Sequence, residues 1–296
     1  YAEMGDDLVA ALRGMFAFGI WDGEARRLLL VRDRVGKKPL YYAETERGLA
    51  FASTIPALLG LGWVDPELHE ECLPEYLALG RVGAPDTLLR GVRKLPPGHL
   101  LAYGDGAAVV RRYDEPRFEE APGGGDDARL AATLRESVRL RLISDVPVGV
   151  TLSGGVDSSL VAALAAERGP VKTFTVAFEG ADEVNEAVHA RRVARHLGAE
   201  HHEVWLSSSD VLGELPRIEE HIDEPHPNLI WLATWFVCRL AKENGVTVVL
   251  TGDGGDELFF GYRRWIALRR AHARWLLPLE ALPRPVRGWT ARAAGA

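Results

Sequence analysis

Residues 148–159 read Val148-Gly149-Val150-Thr151-Leu152-Ser153-Gly154-Gly155-Val156-Asp157-Ser158-Ser159. The β-branched run at the start is typical of a buried strand, and the apolar residues from Leu160 onward are typical of a helix. Gly154 and Gly155 allow a tight turn that presents backbone N–H groups. The serines can cap the helix, whose N-terminus attracts negative charge. The stretch therefore predicts a phosphate-binding turn between a strand and a helix.

The residues after the glycines identify the type of turn. No Gly-Lys-Ser/Thr follows them, which excludes a Walker A loop, and the GxGxxG pattern is absent from the stretch. A glycine turn with a capping serine and no ligand is the structural alternative. With Asp157 and two serines after a buried strand, the stretch resembles the PP-loop of the N-type ATP pyrophosphatases. ATP is therefore the predicted ligand.

A second strand and turn are predicted at residues 246–259. The β-branched run 246–251 leads into Gly252-Asp253-Gly254-Gly255-Asp256-Glu257-Leu258-Phe259. Three carboxylates so close in sequence repel one another unless a cation lies among them, so Mg²⁺ held together with ATP phosphates explains their placement. An acidic surface turn in which Asp256 caps a helix is the alternative.

The chain divides into two regions of different pattern. A linker rich in Gly, Pro and acidic residues is predicted at 116–127, between a first domain at 1–115 and a second at 128–296. Short apolar runs predict a mainly antiparallel sheet in the first domain, at 15–20, 28–31, 49–52 and 100–103. Strands alternate with helices in the second domain, which predicts a doubly wound parallel sheet. Its strands are predicted at 148–152, 173–178 and 246–250, and its helices at 158–167, 183–197 and 229–243. Ligands bind beyond the carboxyl ends of such strands.

Composition and charge limit the function classes. The chain has 296 residues and a formal net charge of -7, with 47% hydrophobic and 26% charged residues, the balance of a globular protein. An acidic chain has no general attraction to nucleic acid or to an anionic membrane, so small-molecule substrates are predicted instead. Charged residues interrupt every apolar run before the roughly 20 residues that a membrane span needs.

The two cysteines, Cys72 and Cys238, lack the spacing of a disulfide framework or a zinc site. This predicts a reducing compartment and hence the cytoplasm.

The two loops in this order resemble the synthetase domain of class B glutamine-hydrolysing asparagine synthetases. Three more segments of the second region carry the same resemblance, namely Leu142-Ile143-Ser144-Asp145-Val146-Pro147-Val148-Gly149, Thr173-Phe174-Thr175-Val176 and Asp223-Glu224-Pro225. The first region resembles the later part of that family's glutaminase domain, in Leu12-Arg13-Gly14-Met15-Phe16-Ala17-Phe18, Arg32-Asp33-Arg34-Val35-Gly36-Lys37-Lys38-Pro39-Leu40-Tyr41 and Leu95-Pro96-Pro97-Gly98-His99.

The resemblance implies a fold and a reaction. The fold is α/β, with a doubly wound parallel sheet of the adenine nucleotide α hydrolase (PP-loop) type, preceded by part of an antiparallel α+β Ntn-type glutaminase domain. The reaction transfers AMP from ATP to a carboxylate with release of pyrophosphate, and glutamine-derived ammonia then displaces AMP from the acyl-adenylate, so that aspartate becomes asparagine. ATP and Mg²⁺ are the implied cofactors, and a homodimer stays open.

The resemblance also implies a role for individual residues of the two loops. Phosphate would be held by Ser153, Gly154, Gly155 and Ser158, with Val156 and Ser159 in the same loop. Adenosine would lie near Leu152 and Val176, and the nucleotide site would be completed by Thr251 and Gly252. The Mg²⁺ ligands would be Asp157 and Asp256, and the catalytic acids would be Asp253, Asp256 and Glu257.

The glutaminase region lacks the family's usual nucleophile. That family uses an N-terminal cysteine followed by glutamine-binding segments, whereas this chain begins with Tyr1. Cys72 has no base adjacent in sequence and is predicted to be a small buried residue. We therefore expect this chain to be a fragment of a longer protein and to lack glutaminase activity. The family's catalytic lysine also lies downstream of residue 296.

The acceptor segment departs from the family pattern as well. Family members specific for aspartate tend to offer an arginine and hydroxyl groups here, whereas residues 226–235 are largely apolar. The acceptor acid therefore stays open. One alternative is a β-lactam synthetase-like enzyme, in which an internal amine closes a ring, or another amide-forming adenylating enzyme. The other is a nucleotide-binding module without catalysis.

Overall fold

The computed structural model describes residues 1–117, 126–180, 185–227, 230–272 and 274. Two compact units are present, Tyr1–Gly124 with Gly213–Trp231, and Gly125–Leu212 with Leu232–Ala296. The units do not follow chain order alone, since a segment of the second region belongs to the first unit. Most of the predicted linker and two residues of the acceptor segment lie outside the described residues, at 118–125 and 228–229.

The first unit contains two antiparallel sheets. One has the strand order β1-β2-β6-β7 and the other has the order β4-β3-β5. The strands are β1 (Ala17–Asp22), β2 (Arg27–Arg32), β3 (Tyr41–Thr45), β4 (Gly48–Ala52), β5 (Val92–Lys94), β6 (His99–Gly104) and β7 (Ala107–Arg112). The helices are α1 (Leu8–Ala11), α2 (Ile55–Leu59) and α3 (Leu73–Leu79), with 3-10 turns at Gly5–Asp7 and Glu70–Cys72. The antiparallel arrangement predicted for this region is confirmed.

Strand β2 supplies apolar side chains to both faces of its sheet. Leu30 packs with Leu95 and Leu101, whereas Leu29 and Val31 pack with a second apolar cluster. Side chains of a strand alternate between faces, so a run of consecutive leucines and valine fills both. This explains why β2 reads as a continuous apolar run.

A buried carboxylate organises the loop after β2. Asp33 is fully buried, and its carboxylate accepts four backbone N–H groups, at 2.9 to 3.3 Å, from Phe16, Val35, Lys37 and Lys38. Beside it, the guanidinium of Arg32 donates to three carbonyl groups of the surrounding chain. A buried charge is tolerated only when it is fully hydrogen-bonded, as it is here.

Asp33→Asn is expected to destabilise the first unit by about 2 kcal/mol. The amide nitrogen of asparagine would face backbone N–H groups, and it cannot accept a hydrogen bond from them. Urea denaturation followed by circular dichroism measures the effect. Asp65→Asn is the matched control, because the Asp65 side chain is exposed. Equal stability of the two variants would contradict the role assigned to Asp33.

The segment Asp223-Glu224-Pro225 packs within the first unit. Asp223 accepts hydrogen bonds from the Ile55 N–H at 2.8 Å and the Tyr41 hydroxyl at 3.2 Å. Glu224 accepts from the Leu88 N–H at 2.7 Å, and its other oxygen lies 2.6 Å from Lys94 Nζ. Burial, with Asp223 alongside, raises the pKa of Tyr41 well above its usual range. The two acids therefore attach residues 213–231 to the first unit.

The second unit is built on a parallel sheet of order β10-β9-β8-β11. Its strands are β8 (Val148–Thr151), β9 (Lys172–Phe178), β10 (Glu200–Leu206) and β11 (Val248–Leu250). The helices that follow α3 along the chain are α4 (Asp127–Arg141), α5 (Val156–Ala166), α6 (Ala187–Leu197), α7 (Ser208–Glu219), α8 (Ile230–Glu243), α9 (Gly255–Phe259) and α10 (Arg263–Ala271). The chain proceeds outward from β8 through β9 to β10, and β11 returns to the other side of β8. The predicted doubly wound sheet is confirmed, with its switch point between β8 and β11.

Small side chains bring the helices close to this sheet. Ala162 and Ala165 of α5 and Ala190 of α6 are buried in one cluster with Val150 and Leu152. Alanine contributes little bulk and favours helix, so α5 packs closely on the sheet through Ala162 and Ala165. Among the described residues, no helix is both long enough and apolar enough to cross a membrane.

Candidate active site

The first predicted loop joins β8 to α5 and is closed by its own hydroxyl groups. Ser153 Oγ lies 2.8 Å from Ser158 Oγ and accepts a hydrogen bond from the Gly155 N–H at 3.1 Å. Ser158 Oγ also accepts from the Ser153 N–H at 3.2 Å. These contacts hold the turn in shape before any ligand binds.

Gly154 is required in this turn for two reasons. Its φ of +83° lies in the left-handed region that side chains disfavour. A Cβ at this position would also lie 2.5 Å from the backbone nitrogen of Ala190 and from Cβ of His189, at the start of α6. The backbone of Gly154 therefore packs directly against the first turn of α6.

The start of α5 offers hydrogen-bond donors to an anion. The first N–H groups of any helix lack intrahelical acceptors, and no side chain caps α5 within the described part of the chain. Val156 in the first turn is 83% exposed. The Ser159 hydroxyl is buried and has no hydrogen-bond partner among the described residues. These donors, together with the helix dipole, fit a phosphate group.

The second loop, after β11, lies against the first. A Cβ on Gly252 would lie 2.7 Å from the backbone nitrogen of Ser158, and a Cβ on Gly255 would lie 2.3 Å from Oδ2 of Asp157. The Asp157 carboxylate thus rests on the residue that precedes Asp256. Because β8 and β11 are adjacent parallel strands, their following loops meet at the switch point of the sheet.

The other predicted site residues lie around these loops and differ in burial and in the hydrogen bonds that they already make. Thr251 Oγ1 donates to Asp253 at 2.9 Å. Leu152 is buried in the core, and its N–H and carbonyl already bond to Phe174 and Thr175 of β9. The Leu152 side chain is 1% exposed and therefore faces the core rather than an open surface. Val176, half-buried, packs with the apolar cluster that contains Phe174.

The donor set fits Mg²⁺ bound together with a nucleotide. No group of three or more His, Cys, Asp or Glu side chains suited to a metal occurs among the described residues. Mg²⁺ in nucleotide sites commonly uses one or two carboxylates, with phosphate oxygens and water completing the octahedron. Asp157 and Asp256 could supply those carboxylates from the two adjoining loops.

Cys72 has a histidine beside it that sequence reasoning missed. Its Sγ lies 3.2 Å from His69 Nδ1, which also lies 3.3 Å from the carbonyl of Thr87. A carbonyl can only accept, so the bond to Thr87 places a proton on Nδ1 and removes it as a base toward Cys72. Burial raises the pKa of the thiol. Cys72 packs with Val82 and Leu88, as its predicted buried role requires.

Known families match both parts of the chain. A family model described as asparagine synthase matches residues 129–294, which is more than half of the chain. The chain belongs to the asparagine synthase family. A second model, described as a glutamine amidotransferase domain, matches residues 1–114.

The relatives of this chain include proteins named as asparagine synthetases and a protein named as an amidase. A provisionally named glutamine-hydrolysing asparagine synthetase from Mycobacterium bovis is 38% identical over 97% of this chain and 45% of its own length. An asparagine synthetase of Bacillus subtilis is 37% identical over 88% of this chain and 42% of its own length. A protein of Penicillium rubens, named as an amidase, is 31% identical over 88% of this chain and 42% of its own length. The chain thus spans a little under half the length of these relatives.

Three residues beside the site were not singled out from the sequence. They are His189, which lies against Gly154, and Gly261 and Tyr262, which contact the acids of the second loop. Gly261-Tyr262 follows the acidic turn directly, so an aromatic hydroxyl near that turn was the available signal. His189 had no such signal because its position depends on how α6 packs.

Proposed function

We propose that the second unit binds ATP with Mg²⁺, and that the protein as its gene encodes it uses this ATP to turn a carboxylate into an amide through an acyl-adenylate. The meeting of two glycine loops at the switch point, with Asp157 against Gly255, is the observation that supports this most strongly. Family membership points the same way. The ammonia would come from glutamine, as the amidotransferase match suggests.

Each part of the loops has a role in this proposal. The N–H groups at the start of α5 and the serine hydroxyls would hold phosphate oxygens. Asp157 and Asp256 would hold Mg²⁺, which offsets the negative charge of the phosphates when bound. Leu152 and Val176 would lie near the adenosine, and the half-buried Val176 would offer it apolar surface. Preorganised donors of this kind stabilise charge that develops on a reacting phosphate.

Binding of ATP by the purified chain tests the nucleotide site. We expect saturable binding in isothermal titration calorimetry that is stronger with Mg²⁺ than with EDTA. GTP serves as the competing control. Binding that ignores Mg²⁺, or no binding at all, would contradict the proposal.

The acceptor acid separates two candidate functions. Family resemblance implies aspartate, whereas the largely apolar character of residues 226–235 favours a different acid. Within the described part of this segment, Leu232 is buried and Ile230 is exposed. Neither side chain can pair with the second carboxylate of aspartate. This observation keeps an adenylating enzyme with a non-aspartate acceptor as the second candidate.

A screen of carboxylic acids is expected to show that a less polar acid drives pyrophosphate release better than aspartate does. The side chains of residues 230–233 carry no charge that could offset the second carboxylate of aspartate. Pyrophosphate release by the protein expressed from its complete gene is the measurement, with ammonium chloride as nitrogen source. A clear preference for aspartate would instead establish asparagine formation.

The cytoplasmic location and the homodimer stay predictions. Cell fractionation would check the first, and light scattering would check the second.

A further inference from the structure

The turn that follows the acidic loop has an unusual backbone. Helix α9 spans only Gly255–Phe259, and it ends at Phe260, whose φ is +58°. Left-handed φ is uncommon for a large side chain, and Phe260 is 58% exposed, so burial of its ring does not account for the conformation. The conformation reverses the chain and lets the Gly261 N–H donate to the Asp256 carbonyl at 3.1 Å. The residues after α9 therefore return toward its acids.

Tyr262 reaches back to one of these acids. Its hydroxyl donates to Glu257 Oε1 at 2.7 Å. The ring is itself held, because it packs edge-on against Trp265 with centroids 5.1 Å apart, and the Arg264 guanidinium lies 4.7 Å from the ring centroid. The tyrosine hydroxyl is thus a fixed, neutral donor that orients Glu257 without neutralising it.

Gly261 gives space to the other acid. A Cβ at Gly261 would lie 1.7 Å from Oδ1 of Asp256 and 3.3 Å from its Cα. The φ of Gly261 is not positive, so the glycine is required for space rather than for backbone freedom. Any larger residue would force the Asp256 carboxylate to rotate away.

We infer that Gly261 and Tyr262 are positioning residues that fix the carboxylates of Asp256 and Glu257 in the orientations used with Mg²⁺ and ATP. A helix as short as α9 has little stability of its own, so its side chains need outside contacts to adopt one rotamer. Neighbouring acids also repel each other, and separate partners hold them in separate directions. The inference rests on the proposed function of this site.

The test compares ATP dissociation constants in Mg²⁺ and in EDTA for the purified chain. Tyr262→Phe keeps the ring and removes only the hydroxyl, and Gly261→Ala adds only the Cβ. Both variants are expected to weaken binding of ATP with Mg²⁺ by about tenfold while leaving binding in EDTA unchanged. Tyr103→Phe, in the first unit, is the matched control and should bind as the wild type does.

A double variant separates positioning from general damage. Once Glu257→Gln has removed the charge that Tyr262 orients, adding Tyr262→Phe should weaken binding by much less than it does alone. Additive effects, or equal weakening in Mg²⁺ and in EDTA, would overturn the inference. Binding by both single variants that equals that of the wild type would also overturn it while leaving the proposed function intact. If the wild type itself shows no Mg²⁺-dependent binding, the proposed function and this inference fail together.

Discussion

Asp157→Asn is expected to weaken Mg²⁺-dependent ATP binding by about 100-fold or more, because loss of an outer-shell partner alone typically costs 10- to 100-fold in metal affinity. The carboxylate of Asp157 lies against Gly255 of the second loop, which also carries Asp256, the other residue proposed to hold Mg²⁺. Asparagine keeps the shape and removes the charge. Calorimetric titration of ATP in the presence of Mg²⁺ measures the loss, and titration in EDTA should show a much smaller change.

Asp145→Asn provides the control for this experiment. Asp145 is exposed and precedes β8, so it lies at the amino end of the strand and not at the loop end. Its variant should bind ATP as the wild type does. If Asp157→Asn unfolds the chain instead, as judged by circular dichroism, Asp157 is a structural residue and the metal role assigned to it is wrong.

Gly154→Ala is expected to lower the stability of the second unit by about 2 to 4 kcal/mol and to remove ATP binding. Left-handed φ costs an alanine roughly 1 to 2 kcal/mol, and the added Cβ would overlap the backbone of Ala190, which cannot move without shifting α6. Thermal unfolding and calorimetric ATP titration measure the two effects separately.

Gly213→Ala is the matched glycine control. Gly213 lies within α7, its φ is not positive, and a Cβ there would meet no atom within 4 Å. Alanine in a helix is more stable than glycine by up to about 1 kcal/mol, so this variant should be as stable as the wild type or more so. Loop geometry would not be the reason for Gly154 if both variants behaved alike.

The sequence alone determined the local elements that carry the proposed chemistry. The β-branched run before Ser153 and the apolar residues after Ser159 predicted the bounds of β8 and α5 within a residue or two. A strand and a helix each leave a characteristic pattern of apolar residues in the local sequence. The run before Gly252 predicted β11 in the same way. Glycines and acids in short turns are also local signals, so both loops were found without knowledge of the sheet.

Strand β10 was not predicted, because its first residues carry no apolar alternation. They are Glu200-His201-His202-Glu203, and they become a strand through their neighbours on β9. His201 Nδ1 lies 2.8 Å from Thr173 Oγ1, and the ring of His202 stacks on Phe174 with centroids 5.4 Å apart. Polar residues are common on such edge strands, where pairing with one neighbour suffices.

Only the tertiary structure decided which distant segments meet. The sequence placed Asp223 and Glu224 with the second region, yet they bond to the first unit through Ile55 and Leu88. The sequence analysis assigned Asp157 and Asp256 to one Mg²⁺, but the contact of Asp157 with Gly255 depends on β11 pairing with β8 rather than with β10. Contacts between residues far apart in sequence leave no local pattern, because they follow from the packing of whole elements and not from the propensities of the residues themselves.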